Sequence, residues 1–349
     1  MIDISFYKNK KVFITGHTGF KGTWLCHILI QAGADITGCS LEPPTNPALF
    51  TQTELKNNIN SIIADIRDRD KLIKTVKEIK PDILFHLAAQ PLVRLSYNEP
   101  ALTYETNVMG TVNILDAVRL TSSICSFVNV TTDKVYENQE WYWSYRENER
   151  LCGFDPYSNS KSCSELVTHS YRNSFFMDKE SPAVSTARSG NVIGGGDYSK
   201  DRIIPDCIRA VQNEETIMVR NPQSIRPYQH VLDTLYGYLL LAEKQFGNKK
   251  IEGAYNFGPD DESCLTTGDL AKLFCLSWGG NAAWKAQTDN GPHEADYLKL
   301  DCSKAKTVLG WKPLWNIKTA VEKTAEFARC KTDIERINCL KNQIREYFR

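Results

Sequence analysis

Tyr157 and Lys161 stand four residues apart in Tyr-Ser-Asn-Ser-Lys, which puts a phenol and an amine on one face of a helix. Tyrosine has an ordinary pKa of about 10, too high for a base at neutral pH. A neighbouring ammonium, joined by a cationic cofactor ring, favours the phenolate and lowers that value. Such a pair suits removal of a hydroxyl proton while hydride leaves the same carbon. Upstream, the apolar run Phe127–Val130 leads into Thr131-Thr132-Asp133-Lys134. If the run is a strand, these residues lie at its carboxyl end, where a doubly wound sheet places ligands. Thr132 then suits a hydrogen bond to a substrate hydroxyl, Asp133 a general acid, and Lys134 a base if its amine is depressed.

A glycine-rich turn supplies the third element of the chemistry. Gly16-His17-Thr18-Gly19-Phe20-Lys21-Gly22 spaces its glycines three apart, between a β-rich run (Val12–Thr15) and a helical stretch (Phe20–Ala32). The first glycine permits a tight turn, the second lets backbone approach a pyrophosphate, and the third lets helix pack against strand. The helix N-terminus faces the phosphate charge. The Ser or Thr that follows Lys in a phosphate-binding Walker loop is missing after Lys21. His17 is unusual in such a turn, since an imidazole beside a pyrophosphate would pair with it or restrict it. The second strand ends Gly38-Cys39-Ser40-Leu41-Glu42, so Ser40 is placed for an adenosine ribose, with Glu42 farther along. No arginine occurs between Gly22 and Asp65 to neutralise a 2′-phosphate, which favours NAD over NADP. Asp65-Ile66 follows a third strand-like run, Ser61–Ala64; Asp65 either meets the adenine edge or caps the next helix.

Positioning these groups requires an α/β fold. Strand runs at Val12–Thr15, Ile36–Leu41, Ile83–Leu87, Phe127–Val130 and Val184–Ala187 alternate with helical stretches at Phe20–Ala32, Asp68–Ile79, Thr106–Leu120 and Tyr157–Phe175. This alternation predicts a Rossmann-type, doubly wound parallel sheet. After Arg188 the pattern loosens. Helices are expected near Pro205–Val211, Val231–Gln245, Thr267–Leu276, Lys304 and Thr319, with strands at Ile217–Val219 and Ala254–Phe257. The reading is a dinucleotide-binding domain over 1–188, a smaller C-terminal α/β lobe over 189–330 with strands that can return to the sheet, and a charged, solvated tail helix over 331–349.

Composition narrows the partners. The 349 residues carry 42 Lys plus Arg against 42 Asp plus Glu, without the basic excess of a duplex binder, so no nucleic-acid partner is expected. No apolar run is long enough for a membrane span. The first residues lack a signal-peptide core, so the expected location is cytoplasmic. The 11 cysteines include no C-x-x-C pair and read as reduced, small apolar residues. No His/Asp/Glu cluster has metal-ligand spacing, and no metal is expected. His27, His86 and His169 read as packing residues.

Taken together, the glycine turn, Thr132-Asp133-Lys134 and Tyr157-x-x-x-Lys161 resemble the extended short-chain dehydrogenase/reductase family acting on nucleotide sugars. Hexose 4,6-dehydratases of that family carry Thr-Asp-Glu where this chain has Thr132-Asp133-Lys134. The lysine departs from the dTDP-glucose enzymes and matches the branch that takes a cytidine diphosphate sugar. So do His86-Leu-Ala-Ala-Gln-Pro-Leu-Val-Arg94, Tyr136-Glu-Asn-Gln-Glu-Trp141, Gly190-Asn-Val-Ile-Gly-Gly-Gly-Asp197, Arg226-Pro-Tyr-Gln-His-Val231, His293-Glu-Ala295 and Leu309-Gly-Trp-Lys-Pro313.

The resemblance covers roughly residues 8 to 330 and implies an NAD-dependent, redox-neutral dehydration. It places Leu87, Ala88, Ala89, Gln90 and Asn107 with the glycine turn at the cofactor. It places Arg94, Asn191, Arg202, Arg226, His293 and Tyr297 at the nucleotide sugar, whose two phosphates need cationic or backbone donors. The family's C5 base is the Glu replaced here, so Lys134 takes that role, with a bound water or a second tyrosine as the alternative. The family also implies a homodimer through a four-helix contact of the helices near 106–120 and 157–175. Two rival readings stand beside this one: a nucleotide-sugar 4-epimerase or reductase, and a non-catalytic NAD-binding regulator.

Overall fold

The computed structural model describes residues 3–287 and 297–349. Its centre is a parallel sheet of seven strands: β1 (Lys11–Thr15), β2 (Asp35–Ser40), β3 (Asn60–Ile63), β4 (Ile83–His86), β5 (Ser126–Val130), β6 (Ala183–Ser189) and β7 (Ala254–Phe257). The order across the sheet is β7-β6-β5-β4-β1-β2-β3. Successive strands step outward on one side from β1 and on the other from β4. The crevice at the carboxyl ends of β1 and β4 is therefore a topological switch point.

The strands form because their residues suit burial on both faces. Val12, Ile14, Ile83, Phe85, Val128 and Val130 enter one core, with helices α1 (Phe20–Gln31) and α6 (Val231–Phe246). Phe13, Leu84, Phe127 and Val184 enter the other, against α2 (Arg69–Ile79), α3 (Gly110–Arg119) and the long α4 (Pro156–Phe175). Alternation with period two makes this division unambiguous. Asp68 caps α2 by accepting from Lys71 N at 3.1 Å. The neighbouring Asp65 is instead held by Arg67 through both carboxylate oxygens.

A third core belongs to the remaining residues. Helices α5 (Ile203–Gln212), α7 (Thr267–Trp278) and α8 (Ile317–Ala328) close around Ile193, Ile217, Val219 and Tyr228. Three two-stranded pairs stiffen this region. The expected strand Ala254–Phe257 does return to the large sheet, as its edge strand β7 paired with β6. Where one helix was expected over Thr106–Leu120, a short helix Pro100–Tyr104 passes through a wide π-helical turn, Glu105–Met109, into α3. Such turns re-aim a side chain; here Asn107 turns inward.

The C-terminal segment corrects the solvated-tail expectation. Helix α9 (Asp333–Tyr347) opens on a capping box of Thr332 and Glu335, and then docks. Leu340, Ile344 and Tyr347 recur at helical spacing and are buried in the core that contains α1 and α6. The Tyr347 hydroxyl donates to Asp233 Oδ1 at 2.7 Å. Its charged residues hid a narrow apolar stripe. His169 is corrected likewise: it is exposed, between Arg172 and Asn173. Ile344→Ala should cost about 2–5 kcal/mol in urea unfolding. On the same helix, exposed Ile334→Ala should change stability by no more than about 0.5 kcal/mol.

Candidate active site

The glycine turn is built as its spacing demands. Gly16 has φ +81°, and a Cβ there would lie 2.7 Å from Ala88 N. At Gly22 a Cβ would lie 2.1 Å from the Gly16 carbonyl oxygen. The loop Leu87-Ala88-Ala89-Gln90 is thereby brought onto the turn. Thr15 binds the two together, accepting from Leu87 N at 3.1 Å and Ala88 N at 3.2 Å. Asn107 fixes the far end of that loop, accepting from Gln90 N at 2.8 Å and donating to its carbonyl at 3.0 Å. Helix α1 starts at Phe20 after Gly19 with no side chain on its first amides. These N–H groups face a cradle that only glycines leave open, which fits a dinucleotide pyrophosphate. The end of β2 carries Ser40, hydrogen-bonded to Thr18 Oγ1 at 2.9 Å, and no cation for a 2′-phosphate, so the fit is to NAD.

Two side chains of the turn point elsewhere. The His17 ring is buried over Gly38, where a Cβ would lie 2.3 Å from it, and its Nε2 meets Ser61 Oγ at 2.7 Å. Burial lowers its pKa to about 4, so it is a neutral ring packed on β2 and β3 and no cationic partner for phosphate. Lys21 crosses to the other end of the cleft, with Nζ 3.4 Å from Ser189 Oγ and 3.5 Å from the Tyr238 hydroxyl. Burial, then the charges of Arg202 and Lys161, lowers its amine to about 7.

The reaction groups meet at the end of β5. Thr132 is extended and accepts weakly from Lys134 N, closing a short turn that buries Asp133. Thr132 Oγ1 donates to Asp133 Oδ1 at 3.0 Å, while Asp133 Oδ2 has no partner. Burial raises the Asp133 pKa against the pull of Lys134, Thr132, Arg226 and Lys21, which favours the acid form. Tyr157 opens α4, near enough to Thr132 and Asp133 for both to act on its phenol. Lys161 Nζ donates to the Val130 carbonyl at 3.1 Å, and burial lowers its pKa to about 8. The phenol departs from the expected depression: burial outweighs the pull of Thr132 and Arg202 and pushes Tyr157 up to about 12. The protein alone therefore leaves Tyr157 protonated at neutral pH.

Two of the expected substrate residues act on this centre through their charge. Arg226 is buried and its charge acts on Asp133. Arg202 pairs with Asp197 Oδ2 at 2.8 Å, and its charge acts on Tyr157. Arg94 is farther out, 3.9 Å from Asp201. The Asn191 carbonyl accepts from Gln229 N, and Tyr297 bridges to Ile225. Ile66 is buried against Gly110, and Asp65 before it is held in the Arg67 pair. His293 lies outside the described residues.

One group of residues was not legible from spacing. Glu165, a turn beyond Lys161, and Arg188 on β6 form a buried ion pair at 2.8 Å. Glu165 also accepts from Thr131 at 2.5 Å and Thr186 at 2.7 Å. Arg188 donates to the Tyr136 hydroxyl at 2.8 Å, which donates to Asn256 on β7 at 2.7 Å. Burial raises the Glu165 pKa, but Arg188 and the two hydroxyls hold it below the ordinary value. The only hint was Glu165 at i+4 from Lys161. Lys21, Ser189 and Tyr238 form a second unforeseen cluster, since they are distant in sequence.

An NAD-shaped cradle beside a Thr/Tyr/Lys set on a parallel sheet defines a nucleotide-sugar enzyme of the extended short-chain dehydrogenase/reductase type. Residues 13–324 match the model of the GDP-mannose 4,6 dehydratase family, and the chain belongs to that family. It is 48% identical over 355 residues to a CDP-glucose 4,6-dehydratase of Salmonella typhimurium, covering 100% of this chain and 99% of the relative. Among solved structures, a dTDP-glucose 4,6-dehydratase from Bacillus anthracis in complex with NAD has a TM-score of 0.77 at 20% identity, covering 91% of this chain and 96% of that one. A UDP-glucuronic acid 4-epimerase from Bacillus cereus, with UDP-glucuronic acid and NAD, has 0.79 at 22%, covering 91% and 99%. At these identities the two structures establish the fold alone.

Two substitutions test the site's construction. Gly22→Ala should abolish NAD binding in a fluorescence titration, because its Cβ overlaps the Gly16 carbonyl. Glu165→Gln should lower stability by about 3–5 kcal/mol, since it strands the Arg188 charge in the interior. A melting temperature equal to the parent's would show that Arg188 finds another counter-charge.

Proposed function

We propose that the protein converts CDP-glucose to CDP-4-keto-6-deoxyglucose, a redox-neutral dehydration that feeds deoxysugar biosynthesis. The observation that carries this reading is Asp133: a buried carboxyl, raised toward its acid form, with one oxygen unpartnered beside Thr132 and Tyr157. A 4-epimerase has no need of such an acid, because it breaks no C–O bond at C6. Full-length identity of 48% to a CDP-glucose 4,6-dehydratase supports the nucleotide.

NAD, held by the glycine turn and the Leu87–Gln90 loop, would supply a hydride acceptor and donor for the C4 and C6 positions of the glucosyl group and a positive ring that favours the Tyr157 phenolate. Tyr157 takes the C4 hydroxyl proton. Lys161, fixed by the Val130 carbonyl, adds charge from one turn below. The 4-keto group acidifies the C5 proton, which Lys134 removes and later returns. Asp133 protonates the C6 oxygen as water leaves. In this reading Arg226 and Arg202 answer the diphosphate charge. In this reading residues 1–188 hold cofactor and catalytic groups, and 189–330 grip the nucleotide sugar. The reading includes a homodimer through α3 and α4: Met109 beside α3 and Leu166 on α4 are exposed apolar residues on that face.

With NAD supplied, the purified protein should turn CDP-glucose into a product lighter by one water, without net NADH. A product of unchanged mass would favour the epimerase. Tyr157→Phe should lower turnover by ~10²-fold or more while cofactor binding persists. Unchanged turnover would remove Tyr157 from the chemistry.

A further inference from the structure

His86 ends β4 and reads from the sequence as a packing residue, yet its ring is aimed. The residue is 1% exposed, and its Nδ1 lies 2.7 Å from the Thr15 hydroxyl on the neighbouring strand β1. The two are register partners across that strand pair. Thr15 is itself fully buried, and it binds the Leu87–Gln90 loop to the glycine turn. What His86 does therefore depends on what this hydroxyl has left to give.

A threonine hydroxyl has two lone pairs and one proton. The lone pairs of Thr15 Oγ1 are taken by the amides of Leu87 and Ala88, at 3.1 and 3.2 Å. Its proton is left for His86 Nδ1, which must accept and so must be bare. The ring is then neutral, with its proton on Nε2. Burial first, then the Lys161 charge, lowers the His86 pKa to about 3, in agreement with a neutral ring. The Leu87 amide has a second acceptor, the Thr15 carbonyl at 3.1 Å. The Ala88 amide has, among the described residues, the hydroxyl alone. That amide nitrogen is also the atom closest to the glycine turn: a Cβ on Gly16 would lie 2.7 Å from Ala88 N and 3.0 Å from its Cα. The Ala88 peptide is thus the wall on which the turn closes. Without an acceptor at residue 86, the Thr15 hydroxyl would be a buried, unpaired donor. Rotating toward another acceptor would take its lone pair from Ala88 N, and the loop would lose its hold on the turn.

We propose that His86 is a positioning residue for the cofactor: its bare Nδ1 orients the Thr15 hydroxyl, which fixes the Ala88 amide and with it the loop that closes the NAD cradle. The role needs an acceptor at one point and neither charge nor bulk. It rests on the fit of the cradle to NAD and not on which sugar reacts.

The test is a fluorescence titration of the purified full chain with NAD and no sugar, so an error in the substrate would not disturb it. His86→Leu fills the space and removes the acceptor. It should raise the NAD dissociation constant by about tenfold or more. His86→Asn, whose Oδ1 can stand in for Nδ1, should return most of that affinity. In a Thr15→Val background, His86→Leu should change affinity by less than about twofold, because the route from the ring to the cofactor is already gone. Parent-like affinity in His86→Leu, full additivity with Thr15→Val, or no rescue by Asn would overturn the proposal. Should His86→Leu not fold, the unmodified protein still decides. In nitrogen-15 NMR of labelled histidine, the His86 ring, assigned by the signals lost in His86→Asn, should show a bare Nδ1 and a protonated Nε2. A protonated Nδ1 would sink the assignment of this role.

Discussion

The ion pair between Glu165 and Arg188 is the joint on which the active site hangs. One partner lies on the helix that bears Tyr157 and Lys161, the other on the strand beside β5. Through Thr131 and Thr186 the carboxylate grips both strands, and through Tyr136 and Asn256 the guanidinium reaches the sheet edge. Two ions so buried are costly to desolvate, and they persist only because nearly every lone pair and N–H has a partner. The consequence is positional. Helix α4 cannot slide along the sheet without breaking the network, so Tyr157 keeps its place at the end of β5.

The front of the cleft is organised by a different constraint, the absence of side chains. Gly16 and Gly22 let the β1–α1 turn close on itself and on the loop after β4. The amides of α1 are then free for phosphate, and in the proposed reading substrate charge meets Arg202 and Arg226. This division explains how a chain of zero formal charge can serve two diphosphates: the answer to each is local. Lys21 links the two halves, leaving the phosphate turn for Ser189 and Tyr238.

Much of this was legible in the sequence. Strands declared themselves as short β-rich runs, and the glycine spacing carried its own mechanism. Tyr157 and Lys161 are local in sequence, so helix periodicity alone puts them on one face. The tail was misread because its charges outnumber Leu340, Ile344 and Tyr347, although their spacing was a stripe. The wide turn at Glu105–Met109 left no periodic mark, because one extra residue in a helix turn follows from the Asn107 contacts to Gln90.

By itself, then, the sequence determined the parallel sheet, the NAD-type turn and the local catalytic spacings, since each depends on neighbours a few residues apart. The tertiary structure decided what spans the chain: Arg188 behind Glu165, Tyr238 at Lys21, Asp233 beneath Tyr347. It also decided protonation. Spacing suggested a phenol lowered by its lysine, but desolvation dominates, and the Tyr157 value rises to about 12. Burial is a property of the packed whole, and no local pattern of residues encodes it.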